Sequence, residues 1–262
     1  MLLPGNINLR LATAVWRRNF TVYRHTWLLN ILPNFFEPVL FLLGMGVGLG
    51  FYVGRGMGGD YLAFIAPGLM ASAAMNGASF EASWNMYIKM NFSRLYDAFL
   101  ATPARMQDIA FGELMWATTR ALIYGGGFLI VLIGFNVAGR PIITSWGVLI
   151  VVPVLALIGA TFALMGQWYT TVINTIDLYS YYWTLFLTPM FLFSGIFFPV
   201  DDIPHGRLIA WFTPLFHGVE LTRALCAGPL AWVHLGNLAY MLAVCALLMW
   251  RVPIRMSRKM VK

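Results

Sequence analysis

The sequence predicts an all-α integral membrane protein that crosses the bilayer six times. Hydrophobic residues make up 60% of the 262 residues and charged residues only 10%, and the mean hydropathy is +0.74. A soluble domain has about 25% charged residues, so this chain could not cover its own surface in water. The apolar residues are also gathered into long stretches, which indicates membrane-spanning helices rather than one large soluble core.

Six stretches are long enough to cross a membrane, because about 20 apolar residues in a helix span about 30 Å of hydrocarbon. They lie at 28–50, 62–86, 110–135, 143–167, 179–199 and 231–251. Together they predict one transmembrane domain over residues 28–252, followed by a basic cytoplasmic tail at 253–262.

The segment before the first stretch, residues 1–27, predicts an amphipathic helix. Four arginines alternate there with leucine, valine and aromatic residues; they are Arg10, Arg17, Arg18 and Arg24. Such a helix lies in the membrane interface with its apolar side down and its arginines among the phosphates.

The basic residues predict the orientation of the protein. Twelve of the 17 lysines and arginines fall on the side that holds both chain ends, and four fall on the other side: Arg55, Arg140, Arg207 and Arg223. Cytoplasmic loops carry the excess of lysine and arginine, so we expect both termini in the cytoplasm. The net charge of +7 therefore indicates cytoplasmic loops, and we expect no nucleic acid as a partner.

The cytoplasmic connection 89–109 is more elaborate than a simple turn. It predicts a short helix from Arg94 to Thr102 that Pro103 ends. Leu95, Phe99 and Leu100 give this helix an apolar face, which favours contact with a partner protein over a solvated loop.

The outer connection 200–230 alternates polar caps with apolar turns. This pattern predicts short re-entrant helices that dip partway back into the membrane, where irregular backbone needs cover from protein or a wet cavity.

No pattern in the sequence predicts catalysis. The four histidines are scattered, Cys226 and Cys245 have no metal-binding spacing, and no glycine-rich phosphate loop with a lysine occurs. We expect no catalytic residue, no metal and no cofactor bound by this chain. If ATP drives the protein, the ATPase is a separate polypeptide.

Four charged residues fall within the predicted spans, where each costs roughly 2.5–3.5 kcal/mol on insertion scales. They are Glu37, Glu81, Glu113 and Arg120, and Trp116 shares a helix face with the last two. Three interpretations stay open: an interhelical ion-pair cluster that fixes packing, an inner mouth that contacts a polar head group, and a proton relay.

Aromatic residues crowd the start and the end of the fifth span, and Tyr179, Tyr181, Tyr182 and Trp183 lie at its start. They are typical of an interfacial belt. The alternative is a cavity wall on which sugar rings or acyl chains stack.

The whole chain resembles the permeases of ABC-2 type transporters, and within them the NodJ-type permeases with which rhizobia export lipochitooligosaccharide signals. The resemblance rests on motifs spread from end to end: Trp16 to Asn19, Glu37-Pro38 with the glycines up to Gly50, Tyr61 to Gly68, Phe80-Glu81, Gly112 to Ala117, Thr188 to Val200, Pro214-Leu215 and Glu220 to Arg223.

This resemblance implies the fold of a type V exporter and a homodimer of permeases docked on two copies of an ABC ATPase, which binds ATP and magnesium. The short cytoplasmic helix would then be the coupling helix, and the outer re-entrant helices would close an outer gate. The residues implied in contact with the ATPase are Arg94, Leu95, Tyr96, Asp97, Phe99 and Leu100, with Arg17 and Arg18 of the interface helix. Those implied at the outer gate are Pro199, Asp201, Asp202, Pro214, Glu220 and Arg223.

The expected function is that of a permease subunit in the bacterial inner membrane. With the partner ATPase it would move an amphiphilic glycolipid, a lipid-linked oligosaccharide, outward. The substrate path would include the four charged residues of the spans and Trp116. It would also include Tyr181, Tyr182 and Trp183 of the fifth span. The alternatives are a drug or antibiotic exporter of the same superfamily and a membrane-embedded transferase, for which Asp201 and Asp202 are the candidate acids.

Overall fold

The computed structural model of the protein describes residues 7–50 and 60–260. Every regular element in these two ranges is helical, which confirms the predicted all-α class. Arg55 and Lys262, which contributed to the predicted charge asymmetry, lie outside the described residues.

The first helix, α1, runs from Leu9 to Phe41 and continues as a π-helix over Leu42–Leu49. The Asn8 side chain accepts hydrogen bonds from the first backbone N–H groups and so fixes where the helix begins. No break separates the predicted interface helix from the predicted first span. The sequence between 17 and 32 contains neither glycine nor proline, so no residue there ends the helix.

The second helix, α2, is Tyr61–Phe80, and π-helical turns at Glu81–Asn85 and Ile88–Phe92 extend it. The whole helix of 32 residues ends at Phe92, which is beyond the predicted end at 86. Residues 89–92 therefore belong to a helix and not to the cytoplasmic connection. This correction changes the setting of Lys89, as described below.

A short helix, α3, spans Leu95–Leu100, within the predicted range of Arg94 to Thr102. Arg94 directly before it adopts a left-handed backbone conformation with φ of 46°. This residue turns the chain sharply between α2 and α3. The next helix, α4, is Met106–Val137.

Two more long helices follow the pattern predicted from hydropathy. Helix α5 is Val151–Val172, preceded by a 3-10 turn at Trp146–Ile150, and the last helix, α9, is Trp232–Met260. The predicted tail at 253–262 is therefore helical up to Met260, although Pro253 lies inside the helix.

Within the described ranges, four helices are long and apolar enough to cross a membrane, and they correspond to the predicted spans 2, 3, 4 and 6. The predicted span 28–50 contains a shorter apolar helix at Phe36–Gly46. The predicted span 179–199 holds a helix, α6, in three pieces, at Tyr179–Tyr181, Tyr182–Leu187 and Thr188–Phe193. This helix is shorter than the length a crossing needs, so a count of six spans stays a prediction.

The connection 200–230, predicted to lie on the outer side, contains two helices. Helix α7 is Gly206–Trp211 and helix α8 is Pro214–Ala227. Helix α8 is mostly buried and packs against α2, α5 and α9. Its Thr222 hydroxyl donates a hydrogen bond of 3.1 Å to the carbonyl oxygen of Pro67 on α2. How deeply these helices lie in a bilayer stays a prediction.

Helix α2 is the centre of the fold, because it packs against α1, α4, α5 and α8. Small residues on its surface allow the close approach. A Cβ atom at Gly77 would collide with the Tyr124 ring of α4.

Candidate functional site

A buried network of charges joins α2 to α4. It consists of Glu81, Lys89, Glu113 and Arg120, and we call it the charge network. The Lys89 Nζ atom lies 2.7 Å from Glu81 Oε1 and 2.8 Å from Glu113 Oε2, and Arg120 Nη1 lies 3.6 Å from Glu81 Oε2. The side chains of the two glutamates and of Arg120 are at most 3% exposed.

Neutral groups complete the charge network. The Asn85 amide donates to Glu81 Oε2 at 2.8 Å, and Arg120 Nη2 donates to the Tyr124 hydroxyl at 2.6 Å. The Arg120 guanidinium also lies 4.7 Å from the centre of the Tyr23 ring on α1, in cation–π geometry. The structure thus shows an interhelical ion-pair cluster, which was one of the three interpretations of these acids. A role for it in a substrate path stays a prediction.

Lys89 is the member of the charge network that sequence reasoning missed. Its position after the second predicted span placed it in a cytoplasmic loop. The helix runs on to Phe92 instead, so the side chains of Glu81, Asn85 and Lys89 lie above one another at intervals of four residues. That interval was visible in the sequence and would have been the signal.

The predicted coupling helix α3 has one buried and one exposed face. Tyr96 is fully buried and Leu95 and Phe99 are half-buried, whereas Asp97 and Leu100 are exposed. Burial, and next the negative charge of Glu113, raise the pKa of Tyr96 well above its ordinary value. The Tyr96 side chain is therefore held inside the fold, and its contact with a partner protein stays a prediction.

The remaining residues of the predicted coupling surface lie near the outside. Arg94 and Arg17 are exposed, and Arg18 is half-buried with its guanidinium 3.1 Å from the Asn19 amide oxygen. Phe92, which the sequence reasoning did not single out, is 67% exposed beside α3. An exposed phenylalanine next to exposed charges is suited to contact with another protein.

A groove of about 600 Å³ lies between α1, α2 and α6, and we call it groove A. It brings together Glu37 and Trp183, two of the residues predicted along the substrate path. The other side chains that line it are Met75, Asn76, Phe80, Trp84, Leu187, Thr188 and Phe191. Carboxylate and amide groups thus lie beside several aromatic rings.

A second groove of about 580 Å³, groove B, lies between α5, α6 and α9. It is lined by Tyr181 and Tyr182 and by Trp168, Tyr169, Phe186 and Tyr240, among other mostly apolar side chains. Tyr182 stacks on Tyr169 with ring centres 4.8 Å apart. The neighbouring residues Tyr182 and Trp183 therefore contribute to different grooves, which the sequence could not predict.

The structure joins two of the predicted outer-gate residues and separates the others. The Arg223 guanidinium on α8 donates to Glu220 at 2.9 Å and to the Gly195 carbonyl oxygen at 2.8 Å, and it lies 4.1 Å from the centre of the Phe64 ring of α2. It therefore ties α8 to α2 and to the chain that follows α6.

The other predicted gate residues have different surroundings. Asp201 and Asp202 are exposed, and Asp201 pairs with the exposed Arg207 at 3.3 Å. Pro199 precedes a 3-10 turn, and Pro214 opens α8 at the position where a helix tolerates proline. No cluster of three metal-binding side chains occurs within residues 7–50 and 60–260.

Long apolar helices, a charge network buried among them and two large grooves define a helical membrane transport component. The chain belongs to the ABC-2 type transporter family, whose sequence pattern matches residues 10–226. It is 39% identical to nodulation protein J of Rhizobium leguminosarum bv. viciae over 88% of this chain and 89% of that protein. It is 35% identical to nodulation protein J of Rhizobium meliloti strain 1021 over 86% of each chain. The inner membrane transport permease YadH of Escherichia coli K12 is 23% identical over 73% of this chain and 72% of its own length.

Proposed function

We propose that this protein is the permease subunit of a bacterial ABC exporter that moves a lipid-linked oligosaccharide outward across the inner membrane. The chain is similar to two nodulation proteins J over most of both chains. This similarity supports a role in the export of a lipid-linked oligosaccharide that acts as a nodulation signal. Groove A is the structural observation on which the choice of substrate rests.

Groove A has the chemistry that a sugar chain requires. The rings of Phe80, Trp84 and Trp183 offer flat apolar faces to sugar rings, and Glu37 and Asn76 offer hydrogen-bond acceptors and donors to hydroxyl groups. An exposed carboxylate in an apolar helix is costly unless it has a polar partner. A hydrated oligosaccharide in the groove would be that partner, while its acyl chain stays in the lipid.

The second candidate function is export of a drug or antibiotic, and groove B favours it. Its lining is almost wholly apolar and aromatic, which suits a hydrophobic ligand better than a sugar. In the lipid-linked oligosaccharide proposal the same groove accommodates membrane lipid and not the substrate.

The energy for transport would come from two copies of a separate ATPase. They would bind ATP and magnesium and dock on a homodimer of this permease. The proposed contact surface is formed by Asp97 and Leu100 of α3, by Phe92 and Arg94 before it and by Arg17 of α1. Closure of the ATPases on ATP would push α3 inward. Because Tyr96 is buried beside Glu113, this movement would reach the charge network and change the packing of α2 on α4.

The proposal includes an orientation with both termini in the cytoplasm, so that α3 faces the ATPase and α8 faces outward. In that orientation Arg223 would hold the outer gate closed by tying α8 to the end of α6. Reporter tags at either terminus test it. Accessibility from the outside at either end would overturn the orientation and with it the assignment of α3.

A comparison of the two grooves tests the choice of substrate. Trp183→Leu changes groove A, and Trp168→Leu is the matched control in groove B. With permease and ATPase in proteoliposomes, we expect Trp183→Leu to reduce transport of a lipid-linked chitin oligosaccharide by about tenfold, if a sugar ring stacks on the indole about as strongly as a nucleic-acid base does, at roughly 1–3 kcal/mol. Trp168→Leu should change it less than about twofold. If Trp168→Leu instead reduces transport, and with it the transport of a hydrophobic dye, while Trp183→Leu has little effect, the drug exporter is favoured.

A further inference from the structure

We propose that a third cavity binds a phosphate-type oxyanion, either the phosphate of an anionic phospholipid or free inorganic phosphate. This inner cavity lies between α1, α2 and α4 and has a volume of about 210 Å³. Its polar lining consists of Arg18, Asn19, Tyr23, Thr26, Glu81, Asn85, Lys89 and Arg120. One water molecule occupies about 30 Å³, so the cavity has room for a ligand several times that size.

Two buried nitrogen donors of side chains that line the inner cavity have no acceptor. Asn19 is 3% exposed and Arg120 is 2% exposed. The Asn19 Nδ2 and Arg120 Nε atoms find no hydrogen-bond partner in the described part of the chain. A buried donor without a partner costs about 1–3 kcal/mol and more when it is charged. Both atoms belong to side chains of the same cavity, and both need an acceptor.

The charges around the inner cavity leave a positive balance. Arg18, Lys89 and Arg120 bring three positive charges, and Glu81 together with Glu113 behind Lys89 brings two negative charges. One positive charge is left over. This surplus disfavours a cation as the ligand, whereas an oxyanion meets both the surplus charge and the unpaired donors. Guanidinium groups such as those of Arg18 and Arg120 bind phosphate oxygens with particularly good geometry.

The inner cavity is accessible from the surface of α1, because the exposed residues Val22 and Thr26 form part of its lining. The predicted orientation places this side in the cytoplasmic half of the membrane, where anionic lipid head groups lie. The cavity shares no lining residue with groove A, so the inference does not depend on the proposed substrate.

Binding to the purified full-length permease in a neutral detergent tests this inference. Native mass spectrometry counts bound phosphatidylglycerol, with zwitterionic phosphatidylcholine as the lipid control, and calorimetry measures inorganic phosphate in parallel. Asn19→Leu removes the unpaired amide at similar volume, and Arg18→Gln removes one cation. The matched control is Arg24→Gln, which removes an exposed arginine of the same helix that lies outside the cavity.

We expect Asn19→Leu and Arg18→Gln each to weaken binding about tenfold or more, because each removes a hydrogen bond to a charged ligand. Arg24→Gln should change it less than about twofold. If phosphatidylglycerol binding is weakened by the first two variants and not by the third, the cavity is a lipid site. If only inorganic phosphate binding follows this pattern, the cavity is a free-anion site. If neither probe binds, or if all three variants bind equally, the inference is overturned. Arg18→Gln decides the matter if Asn19→Leu elutes as an aggregate in size-exclusion chromatography.

Discussion

Removal of Lys89 from the charge network should destabilise the protein strongly. In Lys89→Met, Glu113 loses its ion pair at 2.8 Å, whereas Glu81 keeps Arg120 at 3.6 Å and loses only its shorter contact of 2.7 Å. Both carboxylates are buried, and removal of one partner from a buried ion pair costs about 3–5 kcal/mol. We expect a loss of that size in the free energy of unfolding. Arg140→Met, which removes an exposed arginine, should cost less than about 0.5 kcal/mol.

The assay is unfolding of the detergent-solubilised permease, followed by tryptophan fluorescence. A second variant tests whether the unpaired charge of Glu113 causes the loss of stability. The double variant Lys89→Met with Glu113→Gln removes that charge. The double variant should regain about 2 kcal/mol or more, because burial of a neutral amide costs far less than burial of a lone carboxylate. If Lys89→Met unfolds with the same free energy as the wild type, or if the double variant is less stable than the single one, the charge network is not holding α2 against α4.

Three further perturbations test other parts of the structure. Leu100→Asp places a charge on the exposed face of α3 and should abolish co-purification with the ATPase, whereas Tyr96→Phe keeps the buried ring and should leave it unchanged; an undiminished complex with Leu100→Asp would contradict the coupling surface. Arg223→Met removes the hydrogen bonds that join α8 to the chain after α6 and should lower the free energy of unfolding by about 1.5–3 kcal/mol; an unchanged value would show that Arg223 does not tie these elements together. Gly77→Ala should cost about 1–3 kcal/mol because the new Cβ atom would overpack the contact of α2 with α4, while Gly126→Ala, with nothing within 4 Å of the new Cβ atom, should not destabilise; equal stability of the two variants would refute the close approach.

Much of the fold follows from hydropathy alone. Four spans are evident because long apolar stretches bounded by polar residues have one stable solution in a bilayer. The short helix α3 was also predictable, because Pro103 ends it and its apolar residues have helical spacing. The continuity of α1 was not predictable in this way. A change from amphipathic to apolar composition marks a change in the surroundings of a helix, and it does not mark a break in the backbone.

The candidate site was predictable as a set of residues but not as an arrangement. The cost of burial singled out Glu81, Glu113 and Arg120, and the structure brings them together. Lys89 was missed because a lysine after an apolar stretch is ordinarily a loop residue. The separation of Tyr182 from Trp183 depends on how α6 is rotated against its neighbours, and its π-helical piece changes that rotation.

The most direct test of the proposed function is transport by the reconstituted complex. Permease and its ATPase are placed in proteoliposomes with the ATPase on the outside, and a fluorescent lipid-linked chitin oligosaccharide is added to the outer leaflet. The proposed function predicts ATP-dependent movement of this molecule to the inner leaflet, reduced about tenfold in Trp183→Leu. Movement that needs no ATP, or ATP-dependent movement of a hydrophobic dye while the oligosaccharide stays outside, would contradict it.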